Sequence, residues 1–90
     1  MTPDETMFFQ LLDAYARTRH HCFLAEMSLW TEELGYNTCF RPLDVSENSS
    51  SRYRCKYLMI PTQHVKDASS RQQLPTSLVD QLDAELSELK

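Results

Sequence analysis

Thr18-Arg19-His20-His21-Cys22-Phe23-Leu24-Ala25-Glu26-Met27-Ser28-Leu29-Trp30-Thr31-Glu32-Glu33-Leu34-Gly35 is the stretch whose reading decides the fold. It ends on the only glycine of a 90-residue chain, where average usage would give about six. No proline or glycine interrupts the run from Asp4 to Leu34. Read locally, a helix passes through the stretch and stops at Gly35. That glycine suits the left-handed residue of a Schellman or αL cap, with Tyr36 packing back on Trp30.

Upstream, Thr2-Pro3-Asp4-Glu5 carries the matching start signals. Thr2 and Glu5 have the form of a capping box. Pro3 falls at the first helical position, where its missing N–H costs nothing. Asp4 and Glu5 complement the positive end of the helix dipole. A helix over 3–34 would be roughly 48 Å long. A domain of this size has an expected radius of gyration of ~12 Å. Either the helix bends at residues 18–21, which lack any aliphatic side chain, or a partner covers the overhang. The reading adopted is a continuous or gently bent helix.

On that helix the apolar positions spread over roughly 200°, twice the usual stripe. Burial on two sides follows, one against the chain's own sheet and one against a second copy. Arg19 and Glu26 lie inside the arc, seven residues apart. An antiparallel two-fold between Cys22 and Phe23 would pair Arg19 with Glu26 of the second chain and Tyr15 with Trp30. The expected self-association face is therefore Tyr15, Arg19, Cys22, Phe23, Glu26 and Trp30, and the expected state a homodimer. The plainer alternative has Arg19 and Glu26 snorkelling at the edge of an ordinary core.

After Gly35 the texture changes. Residues 38–45 and 52–60 are rich in β-branched and aromatic types, and a serine-rich loop at 46–51 separates them. They read as an antiparallel hairpin over 38–60. Pro42 cannot donate to a ladder, so it marks an edge strand or a bulge. Residues 62–66 leave room for a short third strand, and 67–76 read as a polar linker. Ser77 is placed to cap a final helix at 78–89, whose Leu78, Val79, Leu82, Leu86 and Leu89 share one face. Such a helix is too short to stand alone, and docking on its own domain is expected. The fold class is α+β, a single domain over 1–90.

Function is not written in a motif. Cys22, Cys39 and Cys55 are an odd set, best read as free thiols, with Cys39 and Cys55 on the two hairpin strands and able to face each other. His20, His21 and His64 are scattered, without C-x-x-C or H-x-x-x-H spacing, so neither metal nor cofactor is expected. A Gly-rich phosphate loop, G-x-S-x-G and H-E-x-x-H are all missing, and the chain is not expected to be an enzyme. With no run of 18 apolar residues and no signal-peptide pattern, the expectation is a cytoplasmic protein without a membrane span.

Charge is patterned. The net is −4, yet residues 36–73 carry six bases against three acids, while both flanks are acidic. Arg52, Arg54 and Lys56 alternate on one strand face, with Arg41 on the preceding strand. These four are the expected partner-binding residues, unless they pair with the acidic helices. The preferred function is a small non-catalytic protein-interaction module: an adaptor, regulator or inhibitor of a larger assembly. The alternative is nucleic-acid binding by the basic hairpin face, against which the acidic total charge weighs.

Overall fold

The capping box is formed. Thr2 N–H donates to Glu5 Oε1 at 2.8 Å, and Glu5 N–H donates to Thr2 Oγ1 at 3.2 Å. Helix α1 (Pro3–His20) starts there, with Pro3 in its first turn. The computed structural model describes residues 2–43 and 55–89. The expected loop at 46–51 and the bases Arg52 and Arg54 lie outside the described residues.

The helix does not reach Gly35. It ends at His20, and His21 takes a left-handed conformation (φ 52°) with its N–H donating to the Ala16 carbonyl. The reason is visible in the same residues. Arg17, Arg19 and His20 place cationic and polar side chains at the negative end of the dipole. Histidine is among the few non-glycine types that tolerate positive φ. Within α1 the buried residues are Phe8, Leu12, Ala16 and His20, a strict i, i+4 stripe of ordinary width. The 200° arc arises from plotting a strand on a helical wheel.

That strand is β1 (Cys22–Thr31). It pairs antiparallel with β2 (Gly35–Pro42), and β2 pairs antiparallel with β3 (Lys56–Ile60), in the order β1-β2-β3. The β2–β3 hairpin is the one expected; β1 is an additional edge strand ahead of it, making β2 central. Pro42 stands at the end of β2, where its partner on β1 is Cys22.

Gly35 therefore closes a hairpin rather than a helix. The Glu32-Glu33-Leu34 turn is held by Leu34 N–H donating to Thr31 Oγ1 at 2.9 Å, and Gly35 follows at φ +108°.

Past Pro61, the expected third strand and linker are instead one helix, α2 (Thr62–Arg71). Its apolar stripe is only Val65 and Ala68, too thin to announce a helix, yet Ala68 is fully buried in the core shared with α1. Helix α3 (Thr76–Leu86) and a closing 3-10 turn (Ser87–Leu89) complete the chain. Ser77 does not cap α3: the N-cap is Pro75, without a side-chain hydrogen bond. Leu78, Leu82 and Leu86 are fully buried, so this helix docks on its own domain.

The core joins Phe8, Leu12 and Ala16 of α1, Cys22, Leu24, Tyr36, Phe40, Leu58 and Ile60 of the sheet, and the leucines of α3. All these sheet residues lie on one face by register. The molecule is an α+β sandwich of two layers, helices on one side of a three-stranded sheet.

Candidate interaction surface

Among the described residues, the β1–β2 hairpin end gathers three exposed apolar side chains. Leu29, Trp30 and Leu34 are 48%, 62% and 55% exposed within six residues of chain. The register slips between Leu24 and Glu26, and again between Leu29 and Thr31, so β1 is an edge strand bulged at two places. Bulges twist an edge and discourage indiscriminate pairing. Asp13 adds to this: its Oδ1 accepts the Leu24 N–H at 2.9 Å, so that donor is already occupied.

Beside the hairpin end lies a cleft of about 490 Å³ between the start of α1, the turn and the start of α2. Leu29, Tyr36 and Val65 supply its apolar lining, Asp4, Glu5 and Glu32 its acids, and Lys66 its base. The walls are fixed by hydrogen bonds. Tyr36 donates its hydroxyl to Glu5 Oε2 at 2.7 Å, Ser69 to Asp4 Oδ1 at 2.8 Å, and Thr62 to the Glu32 carbonyl at 3.0 Å. Burial first, then the Glu5 carboxylate, pushes the Tyr36 phenol up to about 12. Glu5 is held below the usual carboxylate range, first by the Thr2 backbone N–H and then by Tyr36. At neutral pH this pair is a neutral phenol donating to a charged carboxylate.

The sequence-expected residues fall elsewhere. Lys56 lies on the helix-facing side of the sheet, with its Nζ 2.9 Å from Glu85 and 2.5 Å from Glu88. It clamps the C-terminal helix, as the ion-pair alternative anticipated. Arg41 is exposed and points to the opposite face, since its neighbour Phe40 is the partner of Lys56. The structure does not bring Arg41 and Lys56 together.

The expected self-association face is dispersed because the helix it needed stops at His20. Tyr15 and Arg19 remain on α1; Cys22, Phe23, Glu26 and Trp30 are on β1. Cys22 is fully buried and Glu26 and Trp30 are exposed. Arg17 sits 5.7 Å from the Phe23 ring centroid and Arg19 6.0 Å from that of Tyr15, within cation–π range. Tyr15 is drawn into a latch with α3. Its hydroxyl donates to Asp83 Oδ1 at 2.5 Å, and the same oxygen lies 2.8 Å from His20 Nε2. His20 Nδ1 is buried without a hydrogen-bond partner.

Leu29, Leu34, Asp4, Glu5 and Glu32 do not stand out from the sequence as surface groups. Leu34 carries a usable signal: an apolar residue between two glutamates and a glycine belongs in a turn, where it has little to pack on.

Among the described residues no helix is long and apolar enough to cross a membrane, and no group of three or more His, Cys, Asp or Glu is placed to hold a metal ion. No family model, curated protein or solved structure matches the chain.

Proposed function

We propose that the protein is a small non-catalytic interaction module, an adaptor, regulator or inhibitor, that engages its partner through the β1–β2 hairpin end and the adjoining cleft. The observation that carries the reading is the exposure of Leu29, Trp30 and Leu34 together at one end of the sheet. Contiguous apolar exposure marks contact surfaces, and tryptophan is over-represented among the side chains that dominate binding energy. Three acids against one base in the cleft favour a partner segment that carries lysine or arginine beside apolar groups. A second copy of the chain is the simplest partner to test first. The nucleic-acid reading loses Lys56 to its ion pairs with Glu85 and Glu88.

The test compares the native protein with the Trp30→Ala/Leu34→Ser double variant. Both positions are solvent-facing, so folding is preserved. Sedimentation over a range of concentrations reports self-association, and capture from the native host reports other partners. The reading expects a stoichiometric complex, homomeric or heteromeric, that the double variant loses and that weakens with salt. Native protein that stays monomeric and recovers the same proteins as the variant refutes it.

A further inference from the structure

The three thiols of the chain are all free, and they do not share one environment. Cys22 belongs to the core, where its thiol donates to the Ala16 carbonyl and is pushed up to about 11, by burial first and by Asp13 second. Cys39 is also buried, at 2% exposure, yet it is no part of the core. It stands on the face of the sheet turned away from the helices. Its ladder partner there is Tyr57, and the next pair, Phe40↔Lys56, places Cys55 alongside Arg41. Residues 39, 41, 55 and 57 alternate with Phe40, Lys56 and Leu58, which face the helices, so the four side chains share one patch. A groove of about 500 Å³, lined in part by Cys39, Tyr57, Met59 and Glu26, opens beside it.

We propose that Cys39 and Cys55 form a peroxide-sensitive dithiol that closes to an intramolecular disulfide, with Arg41 and Tyr57 as positioning residues. Cys55 is half-buried and is the sulfur an oxidant reaches first. Arg41 supplies a cation and Tyr57 a hydroxyl on the same face of the sheet as the two sulfurs. The Tyr57 phenol is raised chiefly by its hydrogen bond with Cys55 and then by the charges of Cys55 and Cys39. Arg41 is held charged first by its hydrogen bond with Cys39.

The chemistry balances with hydrogen peroxide as oxidant. The Cys55 thiolate attacks one peroxide oxygen, the O–O bond breaks, and the second oxygen leaves as hydroxide, which takes up the proton the thiol released and becomes water, giving a sulfenic acid. The Cys39 sulfur then attacks the Cys55 sulfur, the S–O bond breaks, and the oxygen leaves as water with the Cys39 proton. Two thiols and one peroxide become one disulfide and two waters. Diagonal neighbours across an antiparallel pair lie about 7–8 Å apart at Cα, and a disulfide needs less than about 7 Å. Among the described residues the β2–β3 ladder begins at Lys56, so Cys55 stands just outside it.

The experiment treats reduced full-length protein with hydrogen peroxide, blocks remaining thiols with an alkylating agent, and maps non-reduced peptides by mass spectrometry. The expected product has lost two hydrogens, links the Cys39 and Cys55 peptides, and leaves Cys22 to be alkylated only on unfolding. Cys39→Ser is expected to accumulate a dimedone-trapped sulfenic acid at Cys55. Arg41→Met is expected to slow closure roughly tenfold at unchanged melting temperature, and Arg41→Lys to restore most of the rate. Wild-type protein without the Cys39–Cys55 link, or linked through Cys22 or between chains, overturns the proposal.

Discussion

Replacing Gly35 with alanine separates the role the structure assigns to this glycine from the one its sequence position suggests. A glycine that ends a helix or a simple turn loses about 1 kcal/mol on substitution, because alanine tolerates the left-handed region poorly. Here two costs combine. At φ +108° the backbone lies beyond the small left-handed basin open to other residues, a strain of roughly 1–3 kcal/mol. A Cβ at Gly35 would also lie 2.7 Å from Pro61 Cα and 2.8 Å from the Ile60 carbonyl carbon, and closer still to the Ile60 carbonyl oxygen. All three are backbone atoms at the junction of β3 and α2, so no side chain can swing aside. Forcing them apart strains the Tyr36↔Ile60 pair and adds roughly 1–3 kcal/mol, by analogy with overpacked cores. The expected loss is about 2–6 kcal/mol, from a total stability of roughly 5–13 kcal/mol for a domain of this length. In melting temperature that is a fall of roughly 10–45 °C. Urea and thermal unfolding followed by circular dichroism measure it, with the exposed neighbour Leu34→Ala as the control. A loss below about 1.5 kcal/mol for Gly35→Ala would refute the close approach of Ile60 to the turn.

Three further outcomes are expected. Asp83 is held below the usual carboxylate range by the Tyr15 hydroxyl first and His20 second. Its contribution is therefore present above about pH 4 and lost as pH falls through the lower folded value; Asp83→Asn should flatten the acid limb of a melting-temperature profile, and an unchanged limb counts against the latch. For Tyr36 the sign is opposite: the folded phenol is raised to about 12, so its stabilisation is intact below about pH 10 and lost as pH rises from there toward 12. Ultraviolet titration should find Tyr36 ionising late, and Glu5→Gln should bring it down. Leu12 is fully buried between α1 and its neighbours, and Leu12→Ala should cost about 2–5 kcal/mol in urea unfolding; a loss under 1 kcal/mol would remove it from the core.

Signals that act within a few residues are legible in the sequence alone. Thr2, Pro3 and Glu5 are such a group, because a cap needs only its own first turn. The leucines of α3 are another, since their i, i+4 spacing fixes a face whatever that face meets. The alternation of Tyr57 and Met59 against Lys56, Leu58 and Ile60 is a third, and the β2–β3 ladder bears it out. The candidate surface is scarcely legible. Of its main residues only Trp30 stands out in the sequence, and for a different reason, on a helix face that does not exist.

Local pattern was enough for the class of the fold, the start of α1, the β2–β3 hairpin and the docked amphipathic helix at the end. Tertiary contact settled the state of residues 22–31, the existence of α2 and the purpose of Gly35. The physical reason is common to all three. An apolar run without breakers satisfies a helix locally and a strand only when another strand lies beside it, and the partner of β1 is a segment that follows a turn. Val65 and Ala68 make a helix only because α1 offers a surface to bury them. Gly35 is required by a carbonyl at Ile60, twenty-five residues further along, which no local pattern can announce. The cue that points the right way is His20-His21, with Arg17 and Arg19 just before it. It became a stop signal once the strand beyond it had somewhere to pair.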